Sequence, residues 1–176
     1  RLDGLLAALL VGLPGACCLY QGDELGLTQA QLTFEQLRDP YGIANYPHIL
    51  GRDGCRTPMP WTDEIPNAGF TRARSAWLPV PAEHLVLAVQ RQDADSGSLL
   101  NDYRRLLTWR QAMPALRGGE TRLFDVQADV LAFERGEGDA RILCAYNFSA
   151  DAARLSLASL RADAHAYRVC GPSSPE

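Results

Sequence analysis

LDGLLAALLVGLPGACCLYQGDELG, residues 2–26, is the stretch on which the fold turns. Residues 2–13 are almost continuously apolar and read as a helix that Pro14-Gly15 ends. A helix apolar on nearly every side is expected to be covered on more than one face. Ala16-Cys17-Cys18-Leu19-Tyr20, bounded by Gly15 and Gly22, reads as a short buried parallel strand. Helix, tight turn and buried strand are the grammar of an α/β barrel or a doubly wound sheet. Gln21, Asp23 and Glu24 then fall at the carboxyl end of the strand, where such folds keep their sites. Asp23 has a second reading, as the cap of a following turn. The apolar run is shorter than the roughly 18 residues a membrane span needs. Asp3 at its start and the lack of a small-residue cleavage site after it argue against a signal peptide. A buried helix inside a larger chain is the expectation, with no membrane partner.

Working outward, residues 28–97 are long and loop-rich, and a loop of that length in a compact fold is usually functional. At its centre stands GRDGCRTPMPW, residues 51–61, approached by DPYGI, residues 39–43. Neither has a helix or strand period. Glycines bend this loop, prolines stiffen it, and it carries Arg52, Asp53, Arg56 and Trp61, the composition of a binding loop. The Arg56 guanidinium offers a planar fork of donors for a carboxylate or for two neighbouring sugar hydroxyls. The alternative is a structural Arg–Asp pair that fixes the loop. NAGF (67–70) and WLPV (77–80) follow, then a short strand expected over 85–89. His84 reads as a structural or exposed residue rather than a catalytic one.

From Ser98 the spacing of Leu99, Tyr103, Leu106, Leu107 and Met113 predicts one helix with an apolar face, over residues 98–113. Pro114 and Gly118-Gly119 end it. Short strands are expected over 121–126, 130–135, 141–148 and 154–157, with a further one over 167–170. Their regular spacing suggests an antiparallel β-sandwich, and the domain boundary is placed at about residues 117–120.

Composition narrows the function. Of 176 residues, 47% are apolar and 22% charged, with a net charge of −4, the profile of an ordinary globular protein. Every basic residue is arginine and none forms a block, so there is no electrostatic footprint for nucleic acid. The five cysteines are Cys17, Cys18, Cys55, Cys144 and Cys170. They are odd in number, irregularly spaced and contain no CxxC, which speaks against zinc and against a disulfide framework. Cys17 and Cys18 are expected to be small buried hydrophobes. Reduced thiols fit a cytoplasmic location; no metal or cofactor is expected.

LPGACCLYQGDELGL (13–27), DPYGI (39–43), GRDGCRTPMPW (51–61), NAGF (67–70), WLPV (77–80) and the helix over 98–116 occur in one order. That ordered set closely resembles the C-terminal part of α-glucosidases and oligo-1,6-glucosidases of glycoside hydrolase family 13, the α-amylase superfamily. The resemblance implies an α/β chain: the C-terminal portion of a (β/α)8 TIM barrel followed by a small antiparallel β-sandwich. Residues 1–118 would supply barrel helix 7, strand 8 (16–21), a long substrate-rim loop and helix 8, and residues 119–176 the β-domain. It implies an intact parent that is a retaining enzyme acting on terminal α-linked glucose of α-glucosides or malto- and isomalto-oligosaccharides, with transglucosylation as a side reaction it allows. Sucrose isomerase and trehalose synthase are alternatives within the fold. Such chemistry needs two carboxylates across the scissile bond. In this family they come from earlier strands, with a third in an Asn-His-Asp motif. None of these motifs is present here, so no catalytic residue is assigned, the rest of the barrel is an expected partner, and this chain alone is expected to be inactive. The final arginine of the family's RDGxR loop contacts the terminal glucose and pairs with an upstream aspartate; that position is Arg56. Arg52 and Asp53 would brace the loop, Tyr20, Asp23 and Glu24 would support the pocket floor, and residues 27–47 would rim the aglycone side. A free-standing, non-catalytic carbohydrate-binding or scaffolding protein is the competing class.

Overall fold

A computed structural model describes residues 2–64, 66–138 and 140–156. They form an α/β arrangement, a largely helical partial barrel followed by a small antiparallel sheet. Two compact units divide them: one takes in the described parts of Arg1–Cys18 and Tyr103–Glu176, the other Leu19–Asp102.

The first unit opens with α1 (Leu2–Gly12). Leu5, Ala8 and Leu9 pack on a buried cluster of Leu116, Phe133, Cys144 and Tyr146, and Ala7, Val11 and Gly12 are buried. Gly12 lies so close to the Tyr146 hydroxyl that no Cβ would fit there. The opposite side is open, with Leu2 64% and Leu6 47% exposed. The expected cover on several faces is therefore absent among the described residues, where the sheet covers one side only. Two guanidinium groups finish the helix. Arg110 donates to the Val11, Leu13 and Gly15 carbonyls, and Arg135 donates from Nη1 to the Gly12 carbonyl at 2.8 Å. Cations satisfy the unpaired carbonyls of a helix C-terminus and oppose its dipole.

The sheet follows α5 (Leu99–Ala112) and a short α6 (Pro114–Arg117) whose first residue is the proline that a helix start tolerates. The Ser98 hydroxyl accepts from the Asn101 amide at the head of α5, and Leu99, Leu100, Tyr103 and Leu106 form its buried side. Strands β1 (Thr121–Phe124), β2 (Val130–Arg135) and β3 (Ile142–Asn147) pair antiparallel in the order β1-β2-β3. Phe133 sits opposite Leu123 on one side and Cys144 on the other. Arg135 ends β2 at 1% exposure. Its Nη2 reaches the Leu116 and Gly118 carbonyls at the C-terminal end of α6. Burial of this cation lowers its pKa, and Arg110 adds to the effect. The Tyr146 hydroxyl donates to the Ala8 carbonyl at 3.0 Å; burial pushes its pKa up.

Three expectations fail here. Residues 16–20 form no ladder, because a strand exists only by pairing and nothing among the described residues pairs with them. Cys17 is half-buried and Cys18 exposed rather than both buried, for the same reason. Residues 154–156 carry no strand; residue 157 and the expected strand over 167–170 lie outside the described residues. These hold one layer of sheet, of three strands.

The second unit has short helices joined by irregular backbone: α2 (Pro40–Asn45), α3 (Ala82–Leu85) and α4 (Val89–Ala94), with single 3-10 turns at Asp23–Leu25, Phe34–Gln36 and Asp53–Cys55. The strand expected over 85–89 is replaced by the end of α3 and the start of α4. A short apolar run does not distinguish strand from helix by period alone, and Pro81 at the N-cap of α3 sets the helical start. Buried side chains tie the coil together. The Gln92 amide donates to the Leu25 and Leu87 carbonyls and its carbonyl accepts from the Leu100 amide. His84, 1% exposed, donates from Nε2 to the Thr28 carbonyl at 2.9 Å, which agrees with the structural reading of this histidine. No helix among the described residues is long and apolar enough to cross a membrane.

Candidate substrate-binding site

The loop expected to bind is held by an exchange of carboxylates. Asp53, 3% exposed, accepts from the amides of Arg38 (2.5 Å) and Asp39 (2.7 Å) through one oxygen. Asp39 answers by accepting from the Arg52 amide and the Arg52 Nε, both at 3.0 Å, and from the Tyr41 amide at 3.2 Å as the N-cap of α2. The Arg52 side chain, with the Arg52 amide adding to it, holds the Asp39 carboxyl down at about 2. The same bond raises the Arg52 pKa. The two chain segments cross at glycines. A Cβ on Gly51 (φ +70°) would lie 2.9 Å from Gly42 Cα, and one on Gly42 would lie 2.6 Å from the Leu50 carbonyl oxygen. Only glycine permits both the positive φ and that approach.

This clasp delivers residues 55–58 to the edge of an open cavity of about 370 Å³, lined by Tyr20, Gln21, Cys55, Arg56, Phe70 and Trp77 with Thr57 and Pro58. The Cys55 thiol donates to the Arg52 carbonyl at 3.1 Å and lies 3.6 Å from the Tyr20 hydroxyl. Arg56 is exposed; its Nε donates to the Tyr20 hydroxyl at 3.5 Å, and it has no ion pair among the described residues. Phe70 is set by the NAGF turn. There Ala68 takes the left-handed φ of 48°, its carbonyl accepts from Trp61 and Thr62, and the Asn67 amide grips the Thr71 and Ala73 carbonyls. Tyr20, Phe70 and Trp77 are each between 42% and 50% exposed. A guanidinium and an amide among aromatic faces suit a ligand with hydroxyls on its edges and C–H groups on its flat sides.

Of the residues singled out in the sequence, Tyr20 and Arg56 meet on this cavity. Asp23 and Glu24 do not line it. Asp23 accepts from the Tyr20 amide (3.3 Å) and Glu24 from the Gly22 amide (2.9 Å), so each carboxylate closes the local turn. Arg52 and Asp53 spend their polar groups within the clasp. Gln21 meets the expectation of a polar residue at a site, Asp39 lies within the expected rim over 27–47, and Cys55, Phe70 and Trp77 are functional residues that the sequence did not single out. For Asp39 the available signal was an aspartate directly before a proline, the mark of a helix cap. For Phe70 it was an aromatic residue directly after a glycine, and for Trp77 one two residues before a proline. Among the described residues no three His, Cys, Asp or Glu side chains converge on a metal site.

Comparison with known proteins bears on what this cavity serves. A family model described as "Alpha amylase, catalytic domain" matches residues 1–119. A probable alpha-glucosidase of Rhizobium meliloti (strain 1021) is 45% identical over 153 residues, covering 87% of this chain and 27% of that protein. Among solved structures, the alpha-glucosyl transfer enzyme XgtA superposes with a TM-score of 0.78 at 49% identity, over 85% of this chain and 28% of its own. The trehalulose synthase MutB superposes with a TM-score of 0.74 at 29% identity, over 85% and 30%. The chain thus spans less than a third of the length of the relatives it matches.

Proposed function

This chain belongs to the alpha-amylase catalytic-domain family, and from that premise we propose that the whole protein is a retaining α-glucosidase. It would release terminal α-linked glucose from α-glucosides or short oligosaccharides. The observation that carries the reading is the cavity at Arg56, where one exposed guanidinium stands among Tyr20, Phe70 and Trp77. In this reading Arg56 donates to hydroxyls of the terminal glucose, and the aromatic side chains take the C–H faces of the sugar. Arg52 and Asp53 brace the loop that presents it, and Asp23 and Glu24 hold the turn behind Tyr20. Residues 1–118 are the barrel portion and 119–176 the β-domain.

A retaining mechanism places a nucleophile and an acid/base about 5 Å apart across the scissile bond. Asp23, Glu24, Asp39 and Asp53 are not assigned to that pair. Each is engaged by backbone amides, and an acceptor already filled by N–H donors is a poor proton shuttle. The catalytic carboxylates therefore belong to the rest of the protein in this proposal. Transfer of the glucosyl group to an acceptor hydroxyl is the second reading, favoured by the 49% identity to an alpha-glucosyl transfer enzyme.

The test is Arg56→Ala in the whole protein. Its kcat/KM on an α-glucoside is expected to fall at least about tenfold, the loss of a charged hydrogen bond to the sugar, while the urea midpoint stays within error of the parent. Activity within a factor of two of the parent would remove Arg56 from the site. Following the anomer of the released glucose by NMR, with and without a sugar acceptor, separates hydrolysis with retention from transfer. Sugar binding with no turnover would instead favour a binding protein.

A further inference from the structure

Behind the candidate sugar cavity lies a second, smaller one of about 50 Å³, whose wall includes Asp23, Thr28, Gln29, Thr57 and His84. Tyr20, Gln21, Cys55 and Thr57 line both cavities, so the two adjoin. His84 is 1% exposed. Its Nε2 faces the Thr28 carbonyl oxygen, which can only accept. Nε2 must therefore carry a proton, and in the neutral ring Nδ1 is then an acceptor. Nδ1 has no hydrogen-bond partner among the described residues, although it is buried. A buried acceptor without a donor is costly, and folded proteins rarely leave one so.

We infer that the small cavity binds a buried water molecule that donates to His84 Nδ1 and bridges it to the wall shared with the larger cavity. Size and lining both fit. A water needs a probe-occupied volume of at least about 10–15 Å³ and two to four polar partners. The cavity offers about 50 Å³, and the polar residues Asp23, Gln29 and Thr57 are among those that line it. The inference also gives His84 a purpose. It is a positioning residue that fixes Thr28 on one side and, through the water, the back of the Tyr20–Cys55 wall on the other. The water site stands on His84 alone; only its effect on sugar binding rests on the function proposed above.

A crystal structure of the whole protein at a resolution that shows waters tests the site, together with two variants. His84→Gln keeps a donor for the Thr28 carbonyl and loses the Nδ1 acceptor. His84→Asn keeps a polar group near the Nδ1 position. The parent is expected to show an ordered water within about 3.2 Å of Nδ1, H84N to retain it and H84Q to lose it. In solution KM for an α-glucoside is expected to rise about threefold in H84Q, with kcat little changed, and to recover in H84N. No water at Nδ1 in the parent, a protein donor to Nδ1, or the same water unmoved in H84Q would overturn the site. An ordered water in a parent that takes no sugar in the larger cavity would support the site and sink the sugar reading. Equal KM in parent, H84N and H84Q would overturn the positioning role.

Discussion

The two units solve the same problem with opposite charges. In the clasp of Leu19–Asp102, where backbone is irregular, the unpaired groups are N–H donors, and carboxylates meet them: Asp53 on residues 38 and 39, Asp39 on residues 41 and 52. In the other unit, where helices end against a sheet, the unpaired groups are carbonyls, and guanidinium groups meet them: Arg110 on residues 11, 13 and 15, Arg135 on residues 12, 116 and 118. The clasp needs acceptors because it leaves amides unpaired; a helix C-terminus that must be buried needs donors because it leaves carbonyls unpaired. Asp53, a site candidate in the sequence, is thus part of the backbone's own hydrogen bonding.

The largest expected effect tests the arginine side. Arg135→Met leaves three carbonyls of a buried junction without their donor, and urea unfolding should show a loss of about 3 kcal/mol. A loss below about 1 kcal/mol would mean that the carbonyls find other partners and that the parallel between the units fails. Next comes the carboxylate side. Asp53→Ala should cost about 2 kcal/mol by orphaning two amides, and Asp53→Asn roughly half of that because one carbonyl acceptor remains.

The third test uses protons. The Asp39 carboxyl titrates at about 2 in the folded chain against an ordinary 3.8, so its stabilisation is complete above 3.8 and is lost as pH falls towards about 2. Stability should drop over that window in the parent and lose this component in Asp39→Asn; parallel acid limbs for the two proteins would show that the clasp does not depend on the charge. The smallest effect is the exposed pair of Arg91 and Asp63, 2.6 Å apart with both side chains more than 40% exposed. Arg91→Gln should change stability by at most about 0.5 kcal/mol, a difference that about 1 M salt removes. A larger, salt-resistant loss would show that surface charge, and not only charge bound to backbone, holds this unit.

What could be read in the sequence follows the same division. The helix α5, the strand β2 and the flanking strands were legible because their apolar spacing and turn residues are local signals. Residues 16–20 have the composition of a strand, yet strand pairing depends on partners that composition does not display. The segment over 85–89 was ambiguous because its five residues carry no decisive period. For the site, the loop around Arg56 was legible from its glycines, prolines and arginines. The aspartate opposite Arg52 was not, because Asp39 and Arg52 meet across 13 residues of chain. The aromatic walls were missed as walls because Phe70 and Trp77 reach the cavity through turns, not through a periodic face.

Arg135 and Gly12 are joined by one hydrogen bond across 123 residues. On a ribosome adding ~10 residues per second, that separation is about 12 s of synthesis. Throughout it α1 has emerged with its leucines, but neither the sheet that covers them nor the guanidinium that closes its end has been made. The residues from Leu19 to Asp102 are contiguous and complete their clasp earlier in translation. Of the described elements, α1 is therefore made before the Leu19–Asp102 unit and yet secured after it.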